Sequence, residues 1–158
     1  MFRIGFGNDT HRLEKNKLLI LGGVQVESEL GAVGHSDADA LFHAVTDAIF
    51  GALALGDIGS HFSDTDERWE NADSLTFLSE AVRLMREKGF AVVNVDSVIN
   101  LETPKLRPHI GAMRGKLARA LEIEIDCVSV KAKTGEKVDA VGRSEAVRAE
   151  AVVLLEKI

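Results

Sequence analysis

Cysteine occurs once in these 158 residues, at Cys127, so no disulfide can close within the chain. Such usage points to a reducing compartment. Tyrosine is absent and tryptophan occurs once, and nowhere do Lys and Arg gather into a stripe. With a net charge of −6 and a pI near 5.4, the composition argues against nucleic acid and anionic membrane as partners. The most apolar segment, "AIFGALALG", is too short to cross a bilayer. The first residues carry no basic-then-apolar signal pattern, so the expectation is a cytoplasmic protein. A chain of this length buries roughly 70% of its unfolded surface and needs no staple, which predicts one domain over residues 1–158.

Glycine, by contrast, is plentiful, with 14 residues, several in "LGG", "GDIG" and "TGEK" beside Asp, Lys and Glu. Residues 2–8 read as a strand, and "KLLILGGVQVE" as a strand broken at Gly22-Gly23 into a hairpin or bulge. From Asp37, Ala38, Leu41, Phe42, Val45, Ile49 and Leu53 recur at helical spacing, with Ser36 as the predicted N-cap and Gly56 as the stop. "GDIGSHFSDTDERWENAD" is a long polar loop, a length usually tied to function or mobility. A second helix is predicted from about Ser74, with Leu75, Leu78, Val82 and Met85 inward. "FAVVNVDSVINL" alternates as a strand with Ala91, Val93, Val95, Ser97, Ile99 and Leu101 on one face. A third helix opens at Pro108, "DCVSVKAK" is a strand, and "SEAVRAEAVVLLEK" a closing helix. The prediction is an α/β (α+β) fold, a mixed four-stranded sheet with helices on one face. Its other face then needs cover, and a subunit interface supplies it.

Four constellations could carry chemistry. Asp9 and His11 are two apart on a strand and so share a face, as half a metal site or as a polar strand end. His43 sits in the apolar "ALFHAV", where an unpaired imidazole is costly to bury. It is either a core histidine bonded to a carbonyl or a third ligand, giving an Asp/His/His set with a position open for chemistry. "GHSDAD" joins loop to helix, where Ser36 and the helix N–H groups offer an anion site and His35 a further hydrogen bond. In "GDIGSHFSDTD", Asp57, Asp64 and Asp66 can contact hydroxyls, hold a cation or simply solvate the loop. In "KAKTGEK", Lys133 and Thr134 can bind phosphate, Gly135 permits close approach, and Glu136 can hold a hard cation; a charged turn is the plain alternative.

Taken in order, "RIGFGNDTH", "GHSDADALFHAVTDAIFGALALGDIG", "HFSDTD", "NVDSVI", "PKLRPHI" and "VKAKTGEK" resemble the 2-C-methyl-D-erythritol 2,4-cyclodiphosphate synthase family over nearly the whole chain. The resemblance implies Zn2+ on Asp9, His11 and His43, and a second ion, Mg2+ or Mn2+, on Glu136. It implies that His35, Thr134 and Lys133 are the catalytic residues steadying the phosphates. Asp57, Ile58 and Gly59 match the segment holding the erythritol portion, with Phe62, Ser63, Asp64, Thr65 and Asp66 lining the same end. Leu101, Pro104, Lys105, Leu106 and Arg107, completed by Ala132 and Lys133, match a cytidine pocket. Thr10, Ser36, Gly135 and Arg143 complete the implied substrate-binding set. A homotrimer is implied, its sheets packed around the axis and its active sites shared between subunits. The implied reaction expels CMP from a cytidine-diphosphate ester and leaves a cyclic diphosphate. Departures are Asn8 for an aromatic, Ser63 for a proline, and Asp139-Ala140 for a Gly-aromatic pair. That last pair, with Arg143 and Glu145, borders a central cavity that in the family can hold an isoprenoid diphosphate, and its aromatic wall is missing here.

Overall fold

Two glycines set how closely the layers of this fold approach. β1 (Phe2–Lys15) alternates strictly, so Gly5, Gly7, Asp9, His11 and Leu13 face one side while Ile4, Phe6, Asn8, Thr10 and Arg12 face the other. The computed structural model, which describes residues 1–158, lays helix α1 (Ala40–Ala52) directly on that first face. A Cβ on Gly5 would stand 1.8 Å from the Ala48 carbonyl oxygen, and one on Gly7 2.1 Å from that of Ala44. No side chain fits there. Opposite these glycines lie Val153 and Ala151 of β7 (Ala146–Lys157), which pairs antiparallel along β1.

The remaining elements are β2 (Leu19–Leu21), β3 (Val24–Val26), β4 (Leu30–Val33), α2 (Ile58–His61), α3 (Leu75–Glu87), β5 (Phe90–Asn100), α4 (Ile110–Leu121), β6 (Val128–Lys133) and α5 (Asp139–Gly142). The main sheet runs β4-β1-β7-β5-β6, antiparallel except for the parallel β5–β6 pair. β2 and β3 form a separate hairpin, turned at Gly22 and Gly23, both at positive φ. One continuous core of 37 buried side chains joins the sheet's inner face to α1, α3 and α4. The outer face carries exposed Phe2, Ile4, Phe6 and Val152.

Several sequence expectations change. The main sheet has five strands rather than four: the strand around Gly22-Gly23 leaves it as a separate hairpin, β4 joins at its edge, and the segment expected to be the closing helix is β7, its central strand. "AVRAEAVVLLEK" suits a helix by propensity, but Val147, Ala149, Ala151, Val153 and Leu155 are buried alternately, and partners on both sides override propensity. Ser36 is not the cap of α1. Ala38 turns left-handed (φ 57), and the helix begins instead after Asp39. The fully buried Asp39 carboxylate accepts from the N–H groups of Leu41, Phe42, Gly22 and Gly23 at 2.6–3.1 Å. Burial pushes its carboxyl up to about 6, with those donors pulling the other way. The N-terminus of α1 is thereby filled by the chain's own carboxylate and is no anion site. β5 carries a bulge between Val92 and Asn94, so Phe90 and Val92 face the core before it and Val95, Ser97 and Ile99 after it. Ala91 and Val93 therefore leave the predicted face. Leu75 begins α3 but stays exposed, and a 3-10 turn at Arg107–His109 precedes α4.

Replacing Gly7 with Ala should force α1 off the sheet. We expect a loss of about 3 kcal/mol, at the upper end of ordinary overpacking, in chemical denaturation. A Gly7→Ala variant as stable as the parent would show that the helix can shift freely.

Candidate functional site

The tight α1–β1 contact carries His43 over the strand pair Asp9 and His11. Asp9 Oδ2 lies 2.7 Å from His11 Nε2 and 3.2 Å from His43 Nδ1, and the two ring nitrogens are 3.3 Å apart. These three atoms close a small triangle. A tetrahedral ion with O and N ligands at about 2.0–2.1 Å holds its ligand atoms about 3.3 Å apart, so the triangle is the right size.

Hydrogen bonding behind the rings strengthens the case. His11 Nδ1 is 2.9 Å from the Val33 carbonyl, which can only accept, so Nδ1 carries the hydrogen and Nε2 turns its lone pair inward when the ring is neutral. The Asp9 carboxylate likewise offers only acceptors. With the His11 ring neutral, Asp9 and His11 gather electron pairs with no hydrogen between them, and a cation or a proton relieves that. The titration behaviour agrees. Burial alone would raise the Asp9 carboxyl, but hydrogen bonds and charge from His11 and His43 hold it well below the usual carboxylate range. Burial pulls the His11 imidazole down, yet Asp9 and the Val33 carbonyl hold it above its ordinary value of 6.5.

This triangle opens into a cleft of about 290 Å³ lined by His11, His35, Ser36, His43, Ile58, Gly59, Phe62, Ser63, Asp64, Trp69 and Phe77. His35 is fixed at its rim, its Nε2–H donating to the Asp66 carbonyl at 3.0 Å. Nδ1 is left free and donates only when the ring is charged. Asp57 caps α2 through Ser60, and Asp66 is engaged by Arg68. Ser63 and Thr65 join hydroxyls at 2.8 Å, which ties the loop locally. Trp69 packs edge to face against Phe62 and Phe77, which are tilted by 41° to each other, and the three form an apolar wall. Asp47, which the sequence did not single out, accepts from the Ile58 N–H at 2.9 Å and anchors the Asp57–Gly59 segment to α1.

A second cleft, of about 420 Å³, is lined by Leu101, Pro104, Lys105, Leu106, Arg107, Pro108, Ala132, Lys133 and Thr134. It shares no residue with the first. Across the sheet Thr10 pairs with Arg148, Arg148 with Asn100, and Asn100 with Lys133. β1, which carries Asp9 and His11, and β6, which carries Lys133, are therefore three strand spacings apart, about 14 Å. Glu136 is exposed beyond β6, accepting from the Thr134 hydroxyl at 2.7 Å, while Gly135 N–H donates to Glu102. Thr10 points to the outer face, away from the triangle, and Arg143 pairs with Glu145 outside both clefts. Asp139 is left-handed (φ 58) and accepts from the N–H groups of Val141 and Gly142.

Comparison with known proteins agrees with this geometry. The YgbB family model matches residues 2–156. The 2-C-methyl-D-erythritol 2,4-cyclodiphosphate synthase of Synechococcus elongatus is 53% identical over 154 residues, covering 98% of this chain and 96% of the relative. The "Bifunctional enzyme IspD/IspF" of Albidiferax ferrireducens is 55% identical over 156 residues, 99% of this chain but only 37% of that longer protein. A solved 2C-methyl-D-erythritol-2,4-cyclodiphosphate synthase in a CDP-bound form superposes with a TM-score of 0.91 at 44% identity, over 98% of this chain and 100% of that one. Matched from end to end in sequence and in structure, this chain belongs to the YgbB family.

Proposed function

We propose that this protein converts 4-diphosphocytidyl-2-C-methyl-D-erythritol 2-phosphate to 2-C-methyl-D-erythritol 2,4-cyclodiphosphate and CMP, in non-mevalonate isoprenoid biosynthesis in the cytoplasm. The observation that carries the reading is the inward-facing Asp9–His11–His43 triangle at the head of a cleft whose far wall is apolar. In the reaction a 2-phosphate oxygen bonds to the β-phosphorus. The bond from that phosphorus to the α-phosphate oxygen breaks, and CMP departs with the electron pair. The attacking oxygen is already anionic and the leaving group is a phosphate, so the protein's task is positioning and charge neutralisation.

Bound by Asp9, His11 and His43, zinc would supply a Lewis acid for the β-phosphate, and magnesium or manganese at Glu136 would neutralise charge shared with the α-phosphate. Glu136 offers one carboxylate, enough for a hard ion whose other ligands are phosphate and water. Lys133 and Thr134 hold the phosphates by charge and hydroxyl, and a charged His35 donates from its free Nδ1. Ser36 completes that rim. Ile58, Phe62, Trp69 and Phe77 keep water from the reacting centre, while Gly59, Asp57 and Asp64 take the polyol. Leu101, Lys105, Leu106 and Ala132 receive the cytidine end.

The separation of the two clefts supports sharing between subunits. A homotrimer packed on the outer sheet face would cover Phe2, Ile4, Phe6 and Val152, and would bring one protomer's metal cleft to its neighbour's cytidine cleft.

His43→Ala should abolish zinc binding and cut turnover by more than the 10- to 100-fold typical of losing an outer partner, with the fold kept. The assay follows CMP release and the phosphorus spectrum of the product. A linear phosphate in place of the ring would overturn the reading. Glu136→Gln should chiefly shift the magnesium or manganese titration, and an unchanged titration would remove Glu136 from that role. Because metal binding must displace the proton that Asp9 favours on His11, zinc affinity should climb by up to about tenfold per pH unit below the raised His11 value. Chelator competition across pH measures this, and a flat profile would contradict it.

A further inference from the structure

Ser74 stands at the N-cap of α3, where a serine hydroxyl ordinarily accepts a helix N–H, yet it makes no capping bond. Asp73 accepts from the Leu75 N–H in its place. The buried Ser74 hydroxyl lies instead 2.7 Å from His43 Nε2, the ring nitrogen turned away from the metal triangle. Behind it, Asp37 grips the same serine at two points. One carboxylate oxygen accepts the Ser74 hydroxyl, and the other accepts the Ser74 N–H at 3.1 Å. Asp37 also lines an outer groove of about 560 Å³ between the β2–β3 hairpin, α3 and α4, so its charge keeps contact with solvent.

The direction of these bonds follows from chemistry. An ionised carboxylate has no hydrogen to give, so the Ser74 hydroxyl hydrogen goes to Asp37. The oxygen that remains toward His43 can only accept, so His43 must donate from Nε2–H. A neutral His43 is thereby fixed as the Nε2–H tautomer, with the Nδ1 lone pair aimed at Asp9 Oδ2 and His11 Nε2. Ser36 Oγ, 3.2 Å from the same nitrogen, is a longer second acceptor. The carbonyl of Val33 does the equivalent service for His11 from the opposite side.

We infer that Ser74, oriented by Asp37, is a positioning residue that sets the tautomer and direction of His43 and so prepares the triangle to take a divalent ion. The inference rests on Asp9, His11 and His43 being metal ligands. Neither residue touches the cleft contents directly, and both act through the imidazole. Outer partners of this kind typically change metal affinity 10- to 100-fold.

The test uses the full-length protein and zinc alone. Chelator competition should find Ser74→Ala binding zinc 10- to 100-fold more weakly than the parent, while the metal-free forms melt within a few degrees of each other. Affinity within twofold of the parent would overturn the inference. Nitrogen-15 spectra of the metal-free parent, at a pH where the ring is neutral, should show His43 protonated at Nε2 and bare at Nδ1. The opposite tautomer would also overturn it, and that measurement decides alone if Ser74→Ala fails to fold. A parent that takes up no zinc overturns the metal reading itself, whereas a parent that binds normally beside an equally tight Ser74→Ala overturns only the role of Ser74.

Discussion

Everything at the candidate centre depends on how near a helix can lie to a strand. With glycine at 5 and 7 and alanine at 44, 48, 149 and 151, α1 rests almost on the backbone of β1. That closeness lets a side chain from the helix reach two from the strand without any of the three stretching. Two residues further along the same strand face, glycine gives way to Asp9 and then His11, so the face that excludes side chains at one end presents ligands at the other. The precision of the triangle is inherited from backbone contact rather than from long flexible arms.

Around Asp9, His11 and His43, the protein controls hydrogen as carefully as position. Val33 takes the outer hydrogen of one imidazole and the Asp37-backed Ser74 takes that of the other, so both rings turn the same kind of atom inward. With no positive charge between them such groups repel, and the Asp9 carboxylate holds the His11 ring above its ordinary value while its own carboxyl stays below the usual range. The cleft beyond has one apolar wall, of Ile58, Phe62, Trp69 and Phe77, which limits the water that can compete with charged groups there.

Much of this was legible beforehand, for identifiable reasons. Asp9, His11 and His43 stand out because charged or imidazole side chains interrupt apolar periodicity, and α1 itself is announced by Leu41, Val45 and Ile49. The break at Gly22-Gly23 was equally plain, though hairpin and bulge were not told apart. β7 was not: Ala, Val and Leu in close succession satisfy both periods, and only the pairing of Val147 to Leu155 with strands far away in sequence decides between them. The bulge at Val92 hid the true inward face of β5. Ser74 escaped notice because a serine before a helix looks like a cap, and Ser36 was mistaken for one for the same reason. In both cases the partner, His43, is distant in sequence, 31 and 7 residues away.

The chain holds a single indole and no phenol, and that indole sits in the wall of the cleft that His11 and His43 line. Trp69 stands edge-on to Phe62, 5.2 Å between centroids, with the Arg68 guanidinium 5.3 Å from its ring. Ultraviolet emission excited at long wavelength therefore arises from one place only, within reach of whatever enters beside His35 and His43. The molecule is its own optical gauge of occupancy, and its filling and emptying can be followed without attaching a dye.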